Sequence, residues 1–211
     1  MADLDPSLVA VFGVALFFLA WYYAAFIYSR RVAIRIAREL KDAVLALGGT
    51  SKVRWYGTTA FRMTTEDARP PFKEASVTVT LRPREMPINW VIGIAQGRRD
   101  AVLVETSLQR NPKEEFEIID PNTRVGRRRR LSGPAWSPVT LAGRGLLLSA
   151  EDPDSVMQLL ESLGGDSLRV IMALHVTSGS TPGIAASMSI EPGDAARGLA
   201  AIRTLAERLV D

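Results

Sequence analysis

The stretch "LVAVFGVALFFLAWYYAAFIY", Leu8 to Tyr28, runs 21 residues without a charge. As a helix it rises about 30 Å, the thickness of a hydrocarbon core, so the chain is expected to cross a membrane there. A cleaved signal peptide would carry positive residues ahead of a shorter apolar run and a small-residue cleavage site behind it, and neither is present. Asp3 and Asp5 precede the run, whereas Arg30, Arg31, Arg35, Arg38 and Lys41 follow it. The positive-inside rule then places the N-terminus outside and everything after Tyr28 in the cytosol. Trp21, Tyr22, Tyr23 and Tyr28 are expected at headgroup level on the cytosolic side. The basic residues just beyond, Arg30, Arg31, Arg35 and Arg38, are expected to contact anionic lipid, each gaining about 1 kcal/mol.

Helical periodicity continues beyond the apolar run through Val32, Ile36, Leu40, Val44 and Leu47, and Gly48 with Gly49 supplies a left-handed stop. Four segments follow from this: a short outside N-terminus (1–7), a transmembrane helix (8–28), a basic juxtamembrane helix (29–49) and a cytosolic domain (50–211). With 47% apolar and 23% charged residues, the chain has enough of both to bury a core, which excludes a disordered tail.

In the cytosolic part, "VRWYGTTAFRM", "ASVTVTL", "AVLVETSL", "FEIID", "GRGLLLSA", "SLRVIMALHV" and "GIAASMSI" read as strands bounded by turn residues. "MPINWVIGIAQGRRD" is too short to span and reads as a short helix laid on the sheet, with a membrane-facing segment as the alternative. "EDPDSVMQLLESLGG" reads as a helix capped by Asp152 or Asp154, with Pro153 in its first turn, an apolar face of Val156, Leu159, Leu160 and Leu163, and Gly164 at its end. A closing helix from about Gly193 has Leu199, Ile202, Leu205, Ala206 and Leu209 on its apolar side. The fold class is α+β, a mostly antiparallel sheet with helices packed on one face.

Chemistry is sparse. No cysteine is present, which excludes disulfides, thiolate metal sites and cysteine nucleophiles. His175, the sole histidine, lies in an apolar strand pattern and reads as packed rather than catalytic. No phosphate loop, dinucleotide fingerprint, nucleophile elbow or metal-ligand pair occurs, so no enzyme activity, cofactor, metal or small-molecule substrate is expected. "NTRVGRRRRLSGPAW" is the exception. It places five arginines within nine residues, Arg124, Arg127, Arg128, Arg129 and Arg130. The blandest reading is a solvated hairpin tip, but adjacent guanidinium groups repel and a polyanion relieves the repulsion. The 22 arginines against 4 lysines suit phosphate binding, and a GC-rich genome would produce the same bias. A few phosphate contacts bind weakly, and attachment to the partner's own surface raises the effective concentration. A ribosome docked on the membrane meets those conditions.

The order of elements is similar to that of calumin, the coiled-coil-domain-containing subunit of the PAT complex beside the translocon of the endoplasmic reticulum. The resemblance covers most of residues 8–211. It is carried by "SRRVAIRIARELKDAVLALGG", "EASVTVTLRPRE", "INWVIGIAQGRRDAVLVETSLQ" and "DPDSVMQLLESLGGDSLRVIMALHVTSG". It implies a non-enzymatic accessory factor of the Sec translocon, with the Sec channel, an Oxa-type insertase, ribosomal RNA and membrane lipids as partners, aiding insertion of multi-spanning proteins. The family's acidic lumenal domain corresponds here to seven residues, so calcium binding is not carried over. Its basic C-terminal coiled coil has no counterpart, and ribosome contact is then expected from Arg124 and Arg127 to Arg130. The alternative is a small structural subunit of a respiratory or photosynthetic membrane complex, with the same arginines on an acidic protein.

Overall fold

The computed structural model of the protein describes residues 5–132, 135–190 and 194–210. Asp3, used above for orientation, and Gly193, expected to open the last helix, lie outside them. The apolar run forms the first half of α1 (Pro6–Leu45), a 40-residue helix that is long and apolar enough to cross a membrane. Asp5 caps it: its carboxylate accepts the Ser7 N–H at 2.9 Å, and Pro6 occupies the first turn, where no N–H is required. From Ala25 onward the helix buries Ala25, Ser29, Ala33, Ile36, Leu40 and Val44, every third or fourth residue, against the rest of the protein. The apolar run and the basic segment after it are therefore one continuous helix, which ends at Leu45 rather than at Gly49. Leu47 is buried just beyond the helix end, and its carbonyl accepts the Arg69 N–H at 2.7 Å. Gly49 is required there: its φ is +70°, and a Cβ would stand 2.2 Å from the Glu66 carbonyl oxygen.

Among the described residues nine strands follow: β1 (Thr50–Tyr56), β2 (Ala60–Glu66), β3 (Phe72–Thr80), β4 (Ala101–Leu108), β5 (Phe116–Ile119), β6 (Ser137–Leu141), β7 (Arg144–Ala150), β8 (Ile171–Val176) and β9 (Ile184–Ser189). They interleave with α2 (Pro87–Ala95), α3 (Arg124–Ser132), α4 (Pro153–Glu161), α5 (Gly165–Leu168) and α6 (Asp194–Val210). The strands make one sheet in the order β1-β2-β3-β4-β9-β8-β5-β7-β6, and every pairing is antiparallel. "VRWYGTTAFRM" is two strands and a turn rather than one strand, because Gly57, at φ +71°, reverses the chain. β6, at Ser137–Leu141, was not expected; its Pro138 is tolerated because the strand lies at a sheet edge.

Alternation separates the two faces of the sheet. One carries Phe61, Met63, Val77, Val79, Val102, Val104, Ala186, Met188, Leu174, Ile118 and Leu148, all buried beneath α1, α4 and α6 in a single apolar core. α6 contributes Leu199, Ile202, Leu205, Ala206 and Leu209, as its periodicity requires, and α4 contributes Val156 and Leu160. Removing one such fully buried leucine costs about 2–5 kcal/mol. The other face is polar and open. There Arg62 donates to Ser76 at 2.8 Å and to Glu105 at 3.3 Å, and Glu117 and His175 stand side by side on neighbouring strands.

The two ends of the sheet differ. α1 runs from Trp21, whose indole N–H donates to the Arg84 carbonyl at 2.9 Å, to Leu47, which pairs with Arg69 in the β2–β3 turn. It thus lies along the sheet, and its apolar half leaves the domain at one end. The strand registers place at that exit end the β1–β2 turn, the β3–α2–β4 connection, the start of α3 and the β6–β7 turn.

Candidate functional site

The arginine run is a helix. After β5 the chain turns at Asp120, whose carboxylate accepts the Asn122 N–H at 2.9 Å, and Thr123 donates to the Asp120 carbonyl at 2.8 Å. The Thr123 hydroxyl also accepts the Gly126 N–H at 3.0 Å, and the Thr123 carbonyl accepts the Arg127 N–H at 2.9 Å. This is a side-chain cap followed by a first helical turn. Gly126 permits it: a Cβ there would lie 1.8 Å from the Asp120 carbonyl oxygen. A helix rather than a solvated hairpin tip changes what four consecutive arginines can do. Successive residues point about 100° apart, so the run fans around the axis and cannot present one patch. Arg124, Arg127 and Arg130, three residues apart, share a side, and all are exposed.

Arg129 is used internally. Its Nε donates to Glu117 Oε1 at 2.6 Å and its Nη2 to Oε2 at 3.2 Å, a two-pronged bond to a carboxylate only 9% exposed. The bonds to Glu117 push the Arg129 guanidinium above its ordinary value. Glu117 alternates with Phe116 and Ile118 and so faces away from the core, which brings α3 across the open face of the sheet. A polar residue alternating within "FEIID" was the only sequence signal for this anchor. Arg127 bonds the Asn122 carbonyl at 3.0 Å and remains exposed, and Arg128 is exposed yet engaged within the protein. The five expected contact residues are therefore a three-guanidinium stripe, an anchor and a flank.

Around this stripe the exit end is rich in arginine, and part of that charge is neutralised. Arg84 donates to Asp100 at 2.7 Å, Arg82 stands 3.7 Å from the same carboxylate, and Arg144 pairs with Asp120. Arg98 and Arg99 line a cleft with Arg124 and Arg127. The opposite end of the sheet holds Glu114, Glu115, Glu151 and Asp152 around one cleft, with Lys113 as the basic residue. An arginine-lined cleft thus lies where the apolar helix departs and an acidic one at the other end of the strands.

Arg30, Arg31, Arg35 and Arg38 are all exposed on α1, interleaved with the buried Ser29, Ala33 and Ile36, and so they face away from the domain. Tyr22 and Tyr23 are exposed, whereas Trp21 is spent on the Arg84 carbonyl and on Trp90, 5.7 Å away between ring centroids. The Arg84 guanidinium lies 5.4 Å from the Tyr28 ring centre.

His175 departs from its expected packed state. Its side chain is 42% exposed on the open face, with Nδ1 3.7 Å from Glu117 Oε2, outside hydrogen-bond reach. The Glu117 carboxylate is already committed to Arg129, so it does not orient the imidazole as a base. Among the described residues no group of three or more His, Asp or Glu side chains could hold a metal ion. Comparison with known proteins found no matching family model and no matching curated sequence.

Proposed function

We propose that this protein is a single-pass, membrane-anchored, non-enzymatic adaptor at a site of membrane-protein insertion. Its domain faces the cytosol, its span packs against helices of the Sec channel or an insertase, and its arginine stripe touches ribosomal RNA. The observation that supports the reading is the placement of α3. The stripe of Arg124, Arg127 and Arg130 begins at the end of the sheet at which the apolar helix leaves, where Arg124 and Arg127 line a cleft, four strand positions from β3 and so roughly 20 Å to the side of it. A polyanion lying close over a membrane would meet them while the span remains packed against a channel.

Three guanidinium contacts hold RNA weakly, and such binding falls roughly 20–40-fold between 50 and 200 mM salt. The tether compensates by raising the effective concentration. A second reading places the same stripe on anionic headgroups, and its support is that α3 starts at the exit end rather than at the far end.

Ribosome co-sedimentation of the full chain in nanodiscs tests the first reading, with Arg124, Arg127 and Arg130 replaced by serine and Arg129 retained. Loss of pelleting at 50 mM salt is expected. Unchanged pelleting at low and high salt rejects the role of the stripe in ribosome contact. Pelleting that depends on anionic nanodisc lipid alone, ribosomes being irrelevant, selects the headgroup reading. Affinity purification that recovers respiratory or photosynthetic subunits instead of Sec components rejects the insertion setting.

A further inference from the structure

We propose that α2 is a lipid-inserted helix lying in the plane of the membrane, which docks the domain rigidly on the bilayer beside its own span. The inference rests on the reading of α1 as that span.

A nine-residue helix on a soluble domain ordinarily turns an apolar stripe inward and polar residues outward. α2 turns its apolar residues outward instead. Ile88, Val91, Ile92 and Ile94 are 46–63% exposed, and Gly93 is its one buried residue. No charge occurs from Met86 to Gly97, whereas Arg84 and Glu85 precede it and Arg98 and Arg99 follow it. At about 13 Å long it cannot cross a bilayer. An apolar helix between charged flanks, too short to span, matches an interfacial element buried about 5–10 Å at the headgroup and acyl boundary.

Its occupant is argued from position. The Trp90 ring packs on Trp21 at 5.7 Å, the Trp21 indole bonds the Arg84 carbonyl at 2.9 Å, and Arg84 covers the Tyr28 ring while binding Asp100. Three contacts thus tie the α2 connection to the last two turns of the apolar run. Trp21 stands seven residues, about 10 Å of helix rise, inside the Tyr28 boundary. If Leu8–Tyr28 fills the hydrocarbon, a helix touching Trp21 lies at acyl-chain depth, and its outward face continues the lipid-facing surface of α1. A second protein is a poorer occupant. It would have to reach a nine-residue patch already alongside a spanning helix, with the Arg98 and Arg99 flank at headgroup level.

The absence of cysteine makes the test direct. Nitroxide labels are placed one at a time on Val91→Cys and Ile92→Cys. Leu16→Cys serves as a marker in the span and Arg110→Cys as one at the far end of the domain. Each full chain is reconstituted in nanodiscs of mixed zwitterionic and anionic lipid, and the accessibility of the label to oxygen is compared with that to a water-soluble nickel chelate. The expectation is nickel accessibility several-fold lower at Val91 and Ile92 than at Arg110, with oxygen accessibility approaching that at Leu16. Labels on α2 that match Arg110 while Leu16 remains oxygen-accessible overturn the docking of α2 and leave the span standing. A nickel-accessible Leu16 label overturns the span reading, and the docking of α2 falls with it.

Discussion

Replacing Arg129 with serine separates an arginine that builds the fold from those that face outward. The change deletes the partner of Glu117, a carboxylate 9% exposed that is held at 2.6 and 3.2 Å. Removing one partner of a fully buried pair costs about 3–5 kcal/mol, because the remaining charge stays desolvated. Here the Arg129 side chain is 47% exposed, so water reaches the site and the cost is discounted to about 1–2 kcal/mol. For a domain of this size that lowers the melting temperature by about 2–8 °C. Serine at Arg127 or Arg130 should change stability by less than about 0.5 kcal/mol, as at ordinary surface positions. Lysine at 129 should recover only part of the loss, since an ammonium cannot bond both carboxylate oxygens in a fork. The bonds to Glu117 raise the guanidinium's proton affinity. A raised folded value means that its contribution is complete below the ordinary guanidinium range and is lost only as pH rises above that range, so the difference between Arg129→Ser and the parent should be flat from pH 6 to 9. Thermal melts of the full chain in nanodiscs, followed by circular dichroism, read this out. Equal melting temperatures for Arg129→Ser and Arg127→Ser would refute the anchoring argument. They would also return Arg129 to the exposed set.

Gly126→Ala drives a Cβ to within 1.8 Å of the Asp120 carbonyl oxygen, and a backbone atom cannot swing aside. We expect a loss of about 1–3 kcal/mol and faster tryptic cleavage at Arg127 to Arg130 as α3 lifts off; an unchanged cleavage rate would show that the close approach is not needed. Ser178 donates from its hydroxyl and its backbone N–H to Glu115, and these bonds hold that carboxyl below its ordinary 4.5. A depressed folded value means that the contact contributes above pH 4.5 and is lost as pH falls through the folded value. Ser178→Ala should move the Glu115 titration, followed by carboxyl carbon NMR, upward toward 4.5, and an unmoved titration would contradict the contact.

Elements with strong periodicity were legible from the residues alone. α1, α4, α6 and most strands follow from spacing, caps and turn residues, because each buries one regular stripe against a common core. Four features were not. "SLRVIMALHV" reads as one strand, but Ser167 and Leu168 belong to α5 and β8 starts only at Ile171. β6 contains Pro138 and little alternation, and it forms because β7 offers it an edge. α3 has almost no apolar residue to declare it, and it forms because Thr123 caps it and Glu117 receives Arg129. α2 was expected on the sheet because apolar helices are usually covered. Between that reading and its alternative, a membrane-facing segment, the residues alone do not choose, because the packing of Trp90 on Trp21 rather than on a strand is a contact between distant parts of the chain.

The sequence by itself determined that a 21-residue apolar helix stands before an antiparallel α+β domain, because length, charge and period act locally and need no partner to be read. Tertiary structure alone decided which arginines are available. Helical spacing split the run into a stripe and an anchor, and a carboxylate twelve residues earlier in the chain claimed Arg129. It also decided which end of the sheet meets the apolar helix. Both depend on contacts between residues far apart in the chain, such as Trp21 with Arg84 and Leu47 with Arg69. No pattern along one segment encodes them, since each is settled by how separate stripes pack around a shared core.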